Sequence, residues 1–172
     1  PAVATGVKRA QPDKFVFTYQ GDGDLAAIGT SEIIHAANRG ENLSVIFVNN
    51  TTYGMTGGQM APTTMLGQKT STTPYGRDFR GDGYPIRMAE LLAGLEGTAY
   101  SARVAVSTPA QIRKAKESVR KAFEMQIGGM GLSIVEVLST CPTNWGMKPL
   151  DAQKRVLGEM SEYFPLGVFK ER

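Results

Sequence analysis

Residues 17–29, FTYQGDGDLAAIG, set an aspartate, Asp22, between two glycines where an apolar, β-branched run gives way to a helical one. A strand end needs no carboxylate for its own sake. The next apolar run closes on Asn49-Asn50-Thr51-Thr52. As neighbouring strands of a parallel sheet, the two runs would end where open α/β sheets bind ligands. Gly21 and Gly23 let the backbone approach a ligand, and a helix opening at Asp24 directs free N–H groups outward, which suits phosphate. Phosphate beside a carboxylate is repulsive unless a cation stands between them. Asp22, the Asn50 amide oxygen, a backbone carbonyl and diphosphate oxygens would complete the hard-oxygen, near-octahedral shell that Mg²⁺ prefers. The chemistry expected is a metal ion that protein oxygens hold and that in turn holds a diphosphate.

Competing readings of these residues are weaker. Gly-Asp-Gly alone also makes an ordinary turn. A second copy, Gly81-Asp82-Gly83, follows no strand, has no Asn-Asn partner and is read as such a turn. A dinucleotide site would carry Gly-x-Gly-x-x-Gly after the first strand; Gly29 falls late for that pattern, and no acid closes the second strand. The lysine-bearing phosphate loop is absent.

The elements that must position these residues follow from periodicity. Lys14–Gln20 reads as a strand and Asp24–Arg39 as a helix, apolar nearly all round, with Leu25, Ile28, Gly29, Ile33, Ala36 and Ala37 on one face. Gly40 supplies its stop. Leu43–Asn49 is a second strand, nearly continuous in apolar character, as in a parallel sheet covered on both sides. Residues 53–84 show no periodicity and are dense in Gly, Thr and Pro; a stretch that long in a compact domain is read as an active-site loop. Pro85–Glu96 reads as a helix, Tyr100–Val106 as a strand, and Thr108-Pro109 as the cap and first turn of a helix burying Ile112, Ala115, Val119, Ala122 and Phe123. A fourth strand spans Leu132–Leu138 and a last helix 150–163. Alternating strands and helices predict an α/β fold: a mainly parallel sheet with helices on both faces.

Composition narrows the function classes. At 172 residues, with 41% hydrophobic and 20% charged residues, the chain reads as one globular domain, 1–172. Its net charge of +3 is dispersed, and the basic face of the helix opened by Thr108-Pro109, with Arg113, Lys114, Lys116, Arg120 and Lys121, reads as a solvated surface, so no nucleic acid is expected. No apolar run is long enough to span a membrane and no signal pattern opens the chain, so the expected location is cytoplasmic. One cysteine, Cys141, excludes an internal disulfide and any all-cysteine metal cage from this chain alone. The chain opens on Pro1 and reads as a C-terminal fragment of a longer subunit.

Gly21-Asp22-Gly23, then residues 24–48, then Asn49-Asn50 resembles the thiamine diphosphate-binding motif. "NNTTYGMTGGQMAPTT" (49–64), "TTPYGR" (72–77), "CPTNWG" (141–146), the opening "PAVATGVKRA" and the closing "YFPLGVFKER" resemble the β subunit of 2-oxoacid:ferredoxin oxidoreductases. The likeness covers essentially the whole chain and is nearest to the 2-oxoisovalerate and 2-oxoglutarate types. It implies the pyrophosphate-domain fold of thiamine diphosphate enzymes. It implies that Mg²⁺ binds Asp22 and Asn50 by side-chain oxygens and Thr52 by its carbonyl. It implies that the diphosphate lies along Gly21, Gly23, Asp24, Gly54 and Thr56, with Met55 facing the thiazolium and Gln59 helping to cover the site. Tyr53 and Met55 would form an apolar side of the pocket.

The implied reaction is oxidative decarboxylation of a 2-oxoacid to its acyl-coenzyme A, with electrons leaving through a [4Fe-4S] cluster to ferredoxin. Cys141 matches the fourth cluster ligand; the other three cysteines belong to an upstream segment absent from this sequence. Without the resemblance, Cys141 reads as a small buried residue after the fourth strand rather than a ligand. The activating glutamate is expected on a partner α subunit with the pyrimidine domain, alongside γ and δ subunits. His35 and Trp145 are read as structural. Two alternatives remain: a non-oxidative thiamine diphosphate lyase or transferase, which would need no Cys141, and a non-catalytic diphosphate-binding assembly module.

Overall fold

A computed structural model describes residues 1–172. Its centre is a five-stranded sheet, β1 (Phe17–Gly21), β2 (Ser44–Asn49), β3 (Thr98–Ala105), β4 (Leu132–Leu138) and β5 (Gly167–Glu171), in the spatial order β1-β2-β4-β3-β5. The first four strands are parallel, as expected, and β5 runs antiparallel to β3 at one edge. Every residue of β3 is buried, as is all of β4 except Val137, because helices cover both faces.

The alternation of β2 divides the core. Val45 and Phe47 point to the face covered by α2 (Thr30–Asn38) and α4 (Met88–Ala93), where Leu25, Ile33, Met88 and Leu92 are fully buried. Ile46 points the other way, towards Ala115, Ala122 and Met125 of α5 (Pro109–Ile127). Thr108 caps α5 by accepting the Gln111 N–H, and Pro109 occupies its first turn. A third cluster, Met65, Leu138, Val156, Met160 and Phe164, packs the C-terminal segment against the strand ends.

Several boundaries differ from the sequence reading. The helix expected over 24–39 is broken. Asp24–Ile28 forms a π-type turn, closed by the Gly29 N–H donating to Asp24 O at 2.7 Å, and α2 starts only at Thr30. The wider turn shifts the apolar face, so Ile28, expected inside, is 85% exposed. The helix over 85–96 shortens to Met88–Ala93. The last helix divides into α7 (Pro149–Arg155), a π-type turn (Val156–Met160) and α8 (Ser161–Tyr163). Two elements are additional to the sequence reading: α1 (Ala2–Ala10), which buries only Ala4 and Thr5, and the exposed strand β5. The stretch 53–84 is irregular as expected, apart from the one-turn α3 (Phe79–Asp82). It is held by buried Arg77, whose guanidinium donates to the carbonyls of Ala61, Pro62, Thr64, Asp82, Gly83 and Tyr84. Gly81-Asp82-Gly83 is part of α3 and its exit, a turn as expected.

Candidate functional site

Parallel pairing brings three strand tips side by side. Gly21 is in register with Val48, and Asn49 with Leu138, so Asp22, Asn50 and the segment leading to Cys141 leave the sheet at one edge. There the Thr52 backbone N–H donates both to Asp22 Oδ2, at 3.1 Å, and to Asn50 Oδ1, at 3.3 Å. The two side-chain oxygens thus converge on one backbone N–H and are no farther apart than the sum of those lengths.

Asp22 is only 3% exposed and no Lys, Arg or His pairs with it. It accepts hydrogen bonds from the Thr52 and Gly23 N–H groups and from the Thr63 hydroxyl, at 2.9 Å. Burial outweighs these donors and pushes its pKa up to about 6. A buried carboxylate without a cationic partner is costly, and a bound cation relieves that cost. The Thr52 carbonyl, in a residue 2% exposed, accepts no hydrogen bond from the chain. Carboxylate, amide oxygen and free carbonyl form a donor set of hard oxygens, which fits Mg²⁺.

The turn that gathers them is strained. Thr51 has φ of 60°, the one non-glycine residue of the chain with positive φ, although it is β-branched. Its carbonyl accepts the Thr64 hydroxyl and the Gln68 amide, and its N–H donates to Asn49 Oδ1. Trp145, in α6 (Pro142–Trp145), donates its indole N–H to Asn50 O at 3.2 Å, and the Arg155 guanidinium stacks over its ring.

The remaining expected residues divide. Gly21 has open space where a side chain would stand. At Gly23 a Cβ would come 2.1 Å from the Tyr53 ring, so this glycine makes room for Tyr53. Asp24 is exposed at the start of the π-type turn, whose first N–H groups no side chain caps. Gly54 lies among the Asn50 amide, Asn144 and Cys141 Sγ, each within 3.6 Å of its ideal Cβ position. Cys141 is half-buried there, accepting a hydrogen bond from Asn144 Nδ2, which also donates to Gly54 O. Met55 and Thr56 stand exposed at the loop tip, where Thr56 and Gln59 bond each other. His35 is exposed on α2 and makes no side-chain hydrogen bond to the site. The sequence reading singled out neither Thr63, Thr64 nor Gln68, and it gave Asn49 no role apart from Asn50. Hydroxyl and amide residues in an aperiodic loop carry no signal until the fold shows what they face.

Fold and site together define an α/β domain with a cluster of hard oxygens at the tips of a parallel sheet. The chain belongs to the thiamine pyrophosphate enzymes: the family model of their C-terminal TPP-binding domain matches residues 1–137. It is 52% identical over 172 residues to the ketoisovalerate oxidoreductase subunit VorA of Methanothermobacter thermautotrophicus, covering 100% of this chain and 36% of that one. It is 43% identical over 155 residues to the 2-oxoglutarate synthase subunit KorB of Archaeoglobus fulgidus, covering 90% of this chain and 54% of that one. A solved structure, 2-oxoglutarate:ferredoxin oxidoreductase from Magnetococcus marinus with 2-oxoglutarate, coenzyme A and succinyl-CoA bound, superposes with a TM-score of 0.69 at 25% identity, over 99% of this chain and 61% of that one. The chain thus spans between about a third and about half the length of these curated relatives. No helix is long and apolar enough to cross a membrane.

Proposed function

We propose that this chain is the thiamine diphosphate- and Mg²⁺-binding part of a 2-oxoacid:ferredoxin oxidoreductase acting on a branched-chain 2-oxoacid such as 2-oxoisovalerate, or on 2-oxoglutarate. The observation that carries the reading is the convergence of Asp22 and Asn50 oxygens on one backbone N–H, beside an unused Thr52 carbonyl. Asp22, Asn50 and Thr52 would hold the ion. Thr63 and the Thr52 N–H fix the rotamer of the carboxylate, so one of its oxygens is already aimed. Gly21, Gly23, Asp24, Gly54 and Thr56 would line the approach for the diphosphate, with Met55 and Tyr53 as apolar wall. When bound, the coenzyme supplies the carbon nucleophile and electron sink that decarboxylation of a 2-oxoacid requires. The glutamate that activates it would come from a pyrimidine-binding domain outside residues 1–172, for which a partner α subunit is the expected source.

Cys141 supports the oxidative reading over a lyase or transferase. Its sulfur lies against Gly54, next to the cofactor loop, where a ligand of an iron–sulfur cluster could receive electrons. A cubane needs four thiolates, so cysteines from outside residues 1–172 would supply the rest. Coenzyme A and ferredoxin would be the acyl and electron acceptors, and α, γ and δ subunits the partners.

Calorimetry on the assembled enzyme tests the cofactor assignment. Wild type should bind thiamine diphosphate at one site per chain only when Mg²⁺ is present, and Asp22→Ala should abolish that binding; Mg²⁺-independent binding would refute the metal site. Cys141→Ser should lose the cluster's visible absorption, and an intact cluster in that variant would favour the non-oxidative alternative.

A further inference from the structure

The strained Thr51 turn has a buried support that the proposed metal ligands do not include. Glu136, in the middle of β4, is fully buried and its carboxylate is fully engaged. Its Oε2 accepts the Ala89 N–H at 3.2 Å and faces Arg103 Nη2 at 3.0 Å; Arg103, also buried, bonds Glu90 as well. Its Oε1 accepts Asn49 Nδ2 at 2.7 Å. Buried ion pairs are poor contributors to stability, and apolar replacements often serve as well. What Glu136 holds is therefore more informative than what it stabilises.

It holds the orientation of an amide. Asn49 ends β2 and is fully buried. Because an ionised carboxylate only accepts, Asn49 must turn its NH₂ group towards Glu136, and its oxygen is left facing the Thr51 N–H at 3.0 Å. That bond closes the turn with Thr51 at φ 60°, and the turn decides where the Asn50 amide and the Thr52 carbonyl point. A flipped Asn49 would set NH₂ against N–H at Thr51 and oxygen against carboxylate at Glu136.

We infer that Glu136, acting through Asn49, is a positioning residue of the metal site: it sets the turn that presents Asn50 and Thr52 to the ion held by Asp22. This rests on the metal reading proposed above. Partners one step removed from metal ligands typically change affinity by about ten- to a hundred-fold when lost.

The test reverses the polarity of the pair. Mn²⁺ affinity in the presence of thiamine diphosphate is read by electron paramagnetic resonance on the complete enzyme complex, at a temperature well below each variant's melting point. Asn49→Asp opposes two carboxylates. Glu136→Gln leaves one oxygen, which Arg103 and the Ala89 N–H claim, so two NH₂ groups oppose each other. Each single variant should weaken Mn²⁺ binding by roughly ten- to a hundred-fold. In the double variant the introduced glutamine donates to the introduced aspartate, which still accepts the Thr51 N–H, so affinity should return to near the wild-type value. A purely structural role would lower melting temperatures without moving the Mn²⁺ affinity of the folded complex. Singles that bind like wild type, or a double no better than the singles, overturn the inference. If one single variant does not assemble, the other single and the double decide. Should wild type itself fail to bind Mn²⁺ with the coenzyme, the metal reading falls, a result distinct from failure of the relay alone.

Discussion

Asp22→Asn should make the metal-free protein more stable at neutral pH while abolishing its function. The carboxylate is buried without a cationic partner, and burial raises its pKa from 3.8 to about 6. Each pKa unit corresponds to about 1.4 kcal/mol, so the ionised form costs the folded state about 3 kcal/mol relative to the protonated one. Because the folded form holds the proton more tightly than the unfolded chain, this contribution is fully present below about pH 4 and is lost as pH rises through about 6. Asparagine carries no charge to bury. It keeps an oxygen for Thr52 and Thr63 but turns an NH₂ group towards the Gly23 N–H, which forfeits one hydrogen bond of about 1 kcal/mol. The variant is therefore expected to be about 2 kcal/mol more stable than wild type near pH 7.5 and about 1 kcal/mol less stable near pH 4. Urea unfolding in EDTA, repeated across this pH range, measures both, and the difference between the two proteins cancels most other titrating groups. Saturating Mg²⁺ and thiamine diphosphate should reverse the order at neutral pH, since only wild type gains binding energy. A stability difference that stays flat with pH would refute the claim that Asp22 is a buried, uncompensated carboxylate awaiting a cation.

Two further outcomes test the scaffold. Arg77→Met removes the donor for six loop carbonyls and should destabilise the protein by about 3 kcal/mol. Hydrogen exchange should speed up across residues 61–84 first, and uniform acceleration including α5 would count against a local clamp. Gly97→Ala would place a methyl group 2.0 Å from Ala37 O and 2.5 Å from Gly40 N, both backbone atoms that cannot swing aside. A loss of roughly 3 kcal/mol, or a melting temperature lower by about 6–12 °C, is expected, and an unchanged melting temperature would show the close approach to be relaxed in solution.

Strands were legible because their signal is local. Phe17–Gly21 and Leu132–Leu138 lie between turn residues, and Leu132–Leu138, largely apolar although Ser133 and Glu136 interrupt it, is buried on both faces. The long helix α5 announced itself by cap and periodicity. The break at Gly29 did not, because a π-type turn depends on whether Asp24 O finds the Gly29 N–H, while the composition of 24–39 stays helical throughout. Strand β5 was missed for a different reason: it is short, exposed on most of its length and paired only through β3. The family likeness pointed to Asp22, Asn50 and Thr52 as the proposed ligands because their spacing is a property of the chain.

By itself the amino-acid order determined a parallel α/β sheet and an oxygen-rich pair of strand tips suited to an ion and a diphosphate. It could do so because period, turn residues and ligand chemistry are written within short windows. Only the tertiary structure decided that Thr63 aims Asp22, that Trp145 braces Asn50, and that Glu136 orients Asn49 from 87 positions away in sequence. Those contacts join residues from separate strands and loops. Hydrogen bonding between them depends on distances of a few ångströms that exist only once the sheet has brought its tips together.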